Sequence, residues 1–359
     1  MPPHFVPYIC LFLFALAVYW VCVYACKPPT HDRFVNFRDA HLRQTYHEKR
    51  IHHDARRGTL TQCTSFPSKA CRTVHYELPF YQTNDPNSTI LTVNKASTNR
   101  VLQLNGLPLP PYVYISNTRA RRMTAHELFP LFQAQHISFP VVVKPVTGFG
   151  GRGVLLNIQS MGDCVRALRQ TAQNGEGVIV QQQVQGHHYR ILVVNGRVID
   201  ILEDVPPLVV GDGTTPVDQL VLAFNRRRKA QGKYTTNVIH WDYIREQLGV
   251  TGTAKTPTQA VPRRGQTVYI TQLKNGYNGI DRMSVPLSKV PSQVTDMSVR
   301  VAKVLGMNLI GIDYMCEDIH RDVPGYIIEV NSVPDYTAHA KQEGPKRPVS
   351  QRFVHALFA

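Results

Sequence analysis

Leu309-Ile310-Gly311-Ile312-Asp313-Tyr314, followed by Tyr326-Ile327-Ile328-Glu329-Val330-Asn331, decides the reading of this chain. Both are apolar runs of strand length, and the second alternates apolar and polar residues. Residues two apart on a strand point to one face, so Glu329 and Asn331 are expected side by side. If the run through Asp313 pairs with this strand, three hard oxygen donors converge. That set suits Mg²⁺, which takes oxygen ligands and leaves positions open for phosphate and water.

An upstream element offers a matching phosphate grip: Phe139-Pro-Val-Val-Val-Lys-Pro-Val-Thr-Gly-Phe-Gly-Gly-Arg-Gly-Val154. Val141, Val142 and Val143 read as a buried strand that ends at Lys144. Gly148, Gly150, Gly151 and Gly153 follow, and glycines let backbone turn freely and approach phosphate closely. Lys144 supplies a point charge for phosphate oxygens. No Gly-Lys-Ser/Thr follows the glycines, so this is not a Walker A loop. A glycine-rich loop is usually an ordinary turn, and a strand-end lysine usually reaches for solvent. The downstream Asp, Glu and Asn shift that balance.

From about Val93 to the C-terminus the chain resembles the ATP-grasp ligases. The likeness is to the ATP-grasp part of cyanophycin synthetases and bifunctional glutathione synthetases. Five segments carry it, in order. Asn94-Lys95-Ala-Ser-Thr98 leads through Gly106-Leu-Pro108-Leu-Pro110. Phe139 to Val154 resembles the phosphate-covering loop. Gly186-His187-His188-Tyr189-Arg190 continues through Ile-Leu-Val-Val-Asn195-Gly196. Pro206 to Gly213 ends in Val-Gly211-Asp212-Gly213. Glu329-Val330-Asn331-Ser-Val-Pro334 precedes His339. The resemblance implies an α+β ATP-grasp fold, in which two lobes clamp nucleotide, over residues 93–359.

The resemblance also implies an activity, the ATP-driven joining of a carboxylate to an amine through an acyl phosphate, with release of ADP and phosphate. Lys95 and Lys144 would hold phosphates, and Gly148, Gly150, Gly151, Arg152 and Gly153 would cover them. Asp313, Glu329 and Asn331 would hold one or two Mg²⁺, with Mn²⁺ as a substitute. Arg190 and Arg282 are candidates for a substrate carboxylate or the transferring phosphoryl group. The substrates are expected to be a small acid and an amine, either amino acid or peptide. Departures bear on specificity. Gln181 stands where a hinge glutamate meets adenine, His188 where an acidic residue meets ribose, and Asp204 where the cyanophycin group has arginine. Lys274 to Gly279 replaces an Asn-x-Ser-Thr-Gly-Gly segment, and Asp335-Tyr336 follows Pro334 where glycine is usual. The chain ends at Ala359 without a Mur-ligase-like half, so one ligation rather than polymer extension is expected. A grasp-type kinase, a tethered nucleotide-binding protein without turnover, and a structural membrane protein are the competing readings.

The N-terminus adds a membrane expectation. Phe5 to Cys26 carries no charge and is long enough to cross a bilayer, with Tyr8, Trp20 and Tyr24 near its ends. No Lys or Arg precedes it, which favours a retained anchor over a cleaved signal peptide. Lys27, Arg33, Arg38, Arg43 and Lys49 follow, which places the rest of the chain on the cytoplasmic side. The expected organisation is an anchor at 5–26, a basic juxtamembrane linker or helix at 27–70, a lead-in strand and loop at 71–92, and the catalytic unit at 93–359.

Composition agrees with a multi-lobed enzyme. The chain has 359 residues and 43% hydrophobic residues, enough for a sizeable core. The formal net charge of +15 favours anionic partners such as a lipid surface. Zinc-finger, RNA-recognition and aromatic-interleaved basic motifs are absent, so no nucleic acid is expected. The seven cysteines form no CxxC pair, and free thiols are expected. A homo-oligomer is left open. Helices are expected over Ser97–Asn105, Met161–Gln173, Val217–Gly232, Asp242–Leu248 and Val294–Leu305. The run Arg226-Arg227-Arg228-Lys229 is expected at a solvated helix end.

Overall fold

The computed structural model describes residues 51–54, 59–63, 71–75, 84–148, 150–174, 177–233, 239–250, 257–271, 279–340 and 348–357. The expected anchor at 5–26 lies outside them. Among the described residues no helix is long and apolar enough to cross a membrane.

The chain divides into two compact units at Thr73/Val74. The first contains a three-stranded sheet of β1 (Ile51–Asp54), β2 (Thr59–Cys63) and β3 (Cys71–His75), in that order, with β1 and β2 antiparallel. Strands β1 and β2 stand within residues expected to be linker or juxtamembrane helix, and β3 opens the lead-in where a strand and loop were expected. Alternating β-branched residues in Thr59-Leu-Thr-Gln-Cys63 favour a paired extended backbone over either.

The second unit is built on two larger antiparallel sheets. One has four strands in the order β4-β7-β5-β6: β4 (Tyr112–Ser116), β7 (Gly177–Gln182), β5 (Val141–Pro145) and β6 (Leu155–Ile158). The other has five strands in the order β12-β9-β8-β13-β14: β12 (Asp281–Val285), β9 (Arg197–Val205), β8 (His187–Val194), β13 (Leu309–Cys316) and β14 (Gly325–Asn331).

Period-two patterning splits each sheet into an apolar and a polar face. On the five-stranded sheet, Tyr189, Ile191 and Val193 of β8 join Ile310, Ile312 and Tyr314 of β13 in one core. Helices Ser292–Val304 and Lys95–Leu104 cover that face through Val294, Val301 and Leu102. The intervening residues, His188 and Arg190 on β8 and Gly311 and Asp313 on β13, point the other way. On the four-stranded sheet, Val141, Val143, Val178 and Val180 pack against helices Asn117–Arg122, Ala125–Ala134 and Met161–Thr171. Lys144, Ile179 and Gln181 alternate onto the opposite face.

A third, smaller core joins β10 (Leu208–Val210) and β11 (Thr267–Tyr269) to helices Val217–Ala230 and Trp241–Leu248. The Val217 helix does not end as expected. Arg228 is buried, donates to Asp281 Oδ1 at 2.9 Å and lies against the Phe224 ring. An i−4 aromatic and a carboxylate on β12 draw it out of solvent, where a run of four cations suggested a solvated end. Helix Trp241–Leu248 starts one residue before Asp242, with His240 in the cap position, and closes on Gly249 in the left-handed region. Helix Pro86–Val93 occupies part of the expected strand-and-loop lead-in, capped by Asp85, which accepts from Asn87 N and Ser88 N. The β8–β9 connection at Asn195-Gly196 has positive φ at both residues, as a tight hairpin of this hand requires.

Candidate active site

The polar faces of the two large sheets meet at a seam, and Lys144 marks it. Its Nζ donates to the Ile328 carbonyl of β14 at 3.4 Å, so a side chain from the four-stranded sheet reaches backbone of the five-stranded one. Burial pushes the Lys144 pKa down to about 8, against the raising influence of Glu329; the neighbouring Lys95 lowers it further, and Asp313 opposes that.

Lys95 opens helix Lys95–Leu104, which is capped by Asn94 through Ser97 N. Its Nζ donates to the Gly148 carbonyl at 2.8 Å and lies 3.4 Å from Glu329 Oε1. The first glycine of the loop and a carboxylate of β14 are thus within reach of one ammonium group. Gly148, Gly150, Gly151 and Gly153 all have positive φ, which explains the choice of residue throughout the loop. Arg152 is exposed on it.

Asp313 and Glu329 sit directly opposite each other in the β13–β14 register, and Gly311 opposes Asn331. All three oxygen-bearing residues therefore share the seam face, as expected from the i, i+2 spacing. Beside this pair β14 carries one extra residue, Ile328, which lets Ile327 and Val330 both reach the core. Arg190 faces Asp313 from β8, with Nε to Oδ1 at 3.0 Å and Nη2 to Oδ2 at 3.1 Å.

Further across the sheet, Asp204 of β9 is almost wholly buried and opposes both His188 and Arg282. Arg282 Nε donates to Asp204 Oδ1 at 3.1 Å, and its Nη1 lies 3.9 Å from Asp335 Oδ2. His188 Nδ1 lies 3.3 Å from Asp204 Oδ2, while its Nε2 is 3.9 Å from Asp313 Oδ2. Burial alone would raise the Asp204 pKa, but His188, Arg282 and Arg190 hold it below the ordinary carboxylate range. The result is an alternating row of basic and acidic side chains, Arg282–Asp204–His188–Asp313–Arg190, laid across four strands.

Gln181 is buried on β7, opposite Val142 and Tyr112 and two residues beyond Ile179, the partner of Lys144. It therefore shares the seam face of its sheet. One buried pair escaped the sequence reading: His339 Nδ1 lies 2.6 Å from Asp200 Oδ2. Burial holds the His339 pKa down even though Asp200 opposes this. Asp200, Leu202 and Asp204 share one face of β9, so strand periodicity carried a signal for Asp200.

The chain is similar to known ATP-grasp ligases. It is 27% identical over 279 residues to a cyanophycin synthetase of Geminocystis herdmanii, covering 75% of this chain and 30% of that protein. It is 26% identical over 279 residues to a bifunctional glutathione biosynthesis protein of Listeria welshimeri, covering 76% of this chain and 34% of that protein. The chain thus spans about a third of the length of these relatives. The fold resembles that of a bifunctional glutathione synthetase from Pasteurella multocida, with a TM-score of 0.57 and 20% identity over 90% of this chain and 44% of that one. The α+β architecture is the ATP-grasp fold. No family model matches the chain.

Proposed function

We propose that this chain is an ATP-dependent carboxylate–amine ligase. The observation that carries the reading is the seam where Lys144 and Lys95 meet Glu329, beneath a loop of four glycines with positive φ. Two ammonium groups and a flexible backbone cradle suit a polyphosphate. Lys144 and Lys95 would neutralise phosphate oxygens, with Gly148 to Gly153 and Arg152 closing over them. Gln181 and His188 lie on the seam faces of their sheets, where the base and ribose would be held.

The donor set fits Mg²⁺. Glu329 and Asn331 share a strand face, Asp313 opposes Glu329, and all offer hard oxygens. Those three residues would hold the ion, which neutralises phosphate charge when bound. Asp313 is also tied to Arg190, so its carboxylate would be shared between that guanidinium and the ion.

Charge positioning supplies the rest. A substrate carboxylate oxygen bonds to the γ-phosphorus as the bond from phosphorus to the β–γ bridging oxygen breaks, and ADP leaves. The amine nitrogen then bonds to the acyl carbon, the acyl C–O bond to phosphate breaks, and the amine proton passes to solvent. Arg282, restrained by Asp204, would orient the acid.

The charge-free run 5–26 and the cations after it support a further part of the reading. They would place this chemistry at a membrane, on the cytoplasmic side.

The test is product analysis with candidate amino acids and small peptides. ADP and phosphate should appear only with a carboxylate present, and hydroxylamine should trap a hydroxamate. AMP and pyrophosphate as products would exclude the acyl phosphate; a stable phosphorylated product that never couples would mark a kinase.

A further inference from the structure

Some arginines of the second unit are matched to carboxylates: Arg190 to Asp313, Arg228 to Asp281, Arg282 to Asp204 and Arg166 to Asp163. Arg121 and Arg169 differ. Among the described residues no carboxylate lies within ion-pair distance of either. Both are exposed and line an open surface depression, together with exposed Gln173, on the helical side of the four-stranded sheet.

The two guanidinium groups are fixed by backbone alone. Arg121, in the last turn of helix Asn117–Arg122, donates from Nε to the Ala172 carbonyl at 3.2 Å and from Nη2 to the Gln173 carbonyl at 3.5 Å. Arg169, in the last turn of helix Met161–Thr171, donates from Nη2 to the Met123 carbonyl at 3.0 Å. A carbonyl orients a guanidinium but cancels none of its charge, and most of the five donors remain unused. Two oriented cations side by side, with no carboxylate between them, present their free donors to an anion arriving from solvent. Planar guanidinium forks match phosphate oxygens better than ammonium groups do.

This depression is separate from the seam. The valines of β5 and β7, with Leu168 and Met123, fill the core between these helices and the sheet, whereas Lys144 lies on the sheet's other face. Exposed Arg119 and Arg122 on the short helix add to the local field, in a chain whose net charge is +15.

We infer that Arg121 and Arg169 form a second anion site that takes a phosphate group carried by a larger molecule. The depression is open to solvent, so a carrier can extend outward from a phosphate held by the two guanidinium groups. A phospholipid headgroup and a free phosphate compound share this chemistry, and the experiment separates them.

The full chain is first saturated with a non-hydrolysable ATP analogue, so that the seam is filled. Inorganic phosphate is titrated by calorimetry, and binding to phosphatidylcholine vesicles with and without phosphatidate is measured in parallel. Arg121→Gln/Arg169→Gln should weaken the binding about tenfold or more, from the loss of charge-assisted hydrogen bonds. Because the N-terminal run is common to both proteins, the difference between them isolates the site. The Arg121→Lys/Arg169→Lys variant keeps charge and should recover only part of the affinity. Binding to phosphatidate vesicles alone assigns a lipid headgroup; binding of inorganic phosphate as well assigns a soluble phosphate. Raising the concentration of the ATP analogue further should leave the titration unchanged, which separates this site from the nucleotide reading. Absence of binding to both probes, or equal binding by wild type and the double glutamine variant, overturns the inference.

Discussion

Arg190 grips both carboxylate oxygens of Asp313 from the neighbouring strand, at 3.0 and 3.1 Å. The pair is mostly buried, so its two members depend on each other. Glu329, directly opposite Asp313, is more open, with 30% of its side chain exposed, and its ion partner Lys95 is also held by the Gly148 carbonyl. Two carboxylates assigned to one metal thus carry different structural loads.

Asp313→Asn and Glu329→Gln should therefore both abolish Mg²⁺-dependent turnover but separate in stability. Asp313→Asn leaves a buried guanidinium without its counter-charge, at a cost of about 3 kcal/mol. Glu329→Gln should cost about 1 kcal/mol or less, because a half-open pair is screened by solvent. Urea unfolding measures both, and equal losses would show that the Arg190 contact does not stabilise the fold.

Lys144 gives a pH signature. Its folded pKa of about 8 lies below its ordinary 10.5, so the folded state sheds a proton that the unfolded chain keeps. Between those values stability should rise with pH; below both, the cost of the buried charge is fully present, on the order of 3 kcal/mol. A bound polyphosphate reverses the balance by favouring the charged amine. Nucleotide binding should then take up a proton near pH 8 and weaken above it. Calorimetry in buffers of different ionisation enthalpy reads the uptake, and Lys144→Met should abolish it. At pH 7 Lys144→Met should be no less stable than wild type, while its ATP affinity falls about tenfold or more. Proton uptake that persists in Lys144→Met would assign it to another group.

Much of this site was legible because strand periodicity is rigid. Val141-Val-Val-Lys144 and Ile327-Ile-Glu-Val-Asn331 each commit alternate residues to opposite faces, and Asp313 needed only a pairing partner. Which cations would be neutralised was not legible, since that depends on register between strands distant in sequence. Arg190 and Arg282 read as candidates for a substrate carboxylate or the transferring phosphoryl group, and their contacts to Asp313 and Asp204 come from strands distant in sequence. Arg228 read as solvated because its partner Asp281 lies 53 residues away. Strands β1 and β2 were hidden by a basic, histidine-rich composition that suggested a membrane-proximal linker.

The membrane expectation is tested by fractionation. The full chain should sediment with membranes and resist alkaline carbonate extraction, because a charge-free span of this length is not released by breaking ionic contacts. Deleting residues 5–26 should shift the chain to the soluble fraction. Release of the full chain by carbonate would assign its attachment to surface charge.

Asp204 provides the last test, because one buried carboxylate holds both His188 and Arg282. Its folded pKa is depressed, so its contribution to stability is present above the unfolded value and is lost as pH falls through the folded one. The unfolded value is about 3.9, so the loss belongs to the acid limb below about pH 4. Asp204→Asn keeps the shape but cannot titrate. The variant should be less stable than wild type at neutral pH, and the two stability curves should converge as pH falls. The loss of charge also releases Arg282 from its Nε contact, leaving Asp335 at 3.9 Å as its remaining acidic neighbour in the seam. If Arg282 orients the acid substrate, Asp204→Asn should raise KM for that substrate more than it lowers kcat, with ATP affinity little changed. Melting temperature measured from pH 6 to pH 3 supplies the first readout, and steady-state kinetics the second. Parallel acid limbs would show that Asp204 is not held ionised by its neighbours, and a loss confined to ATP affinity would move Arg282 from the acid to the nucleotide.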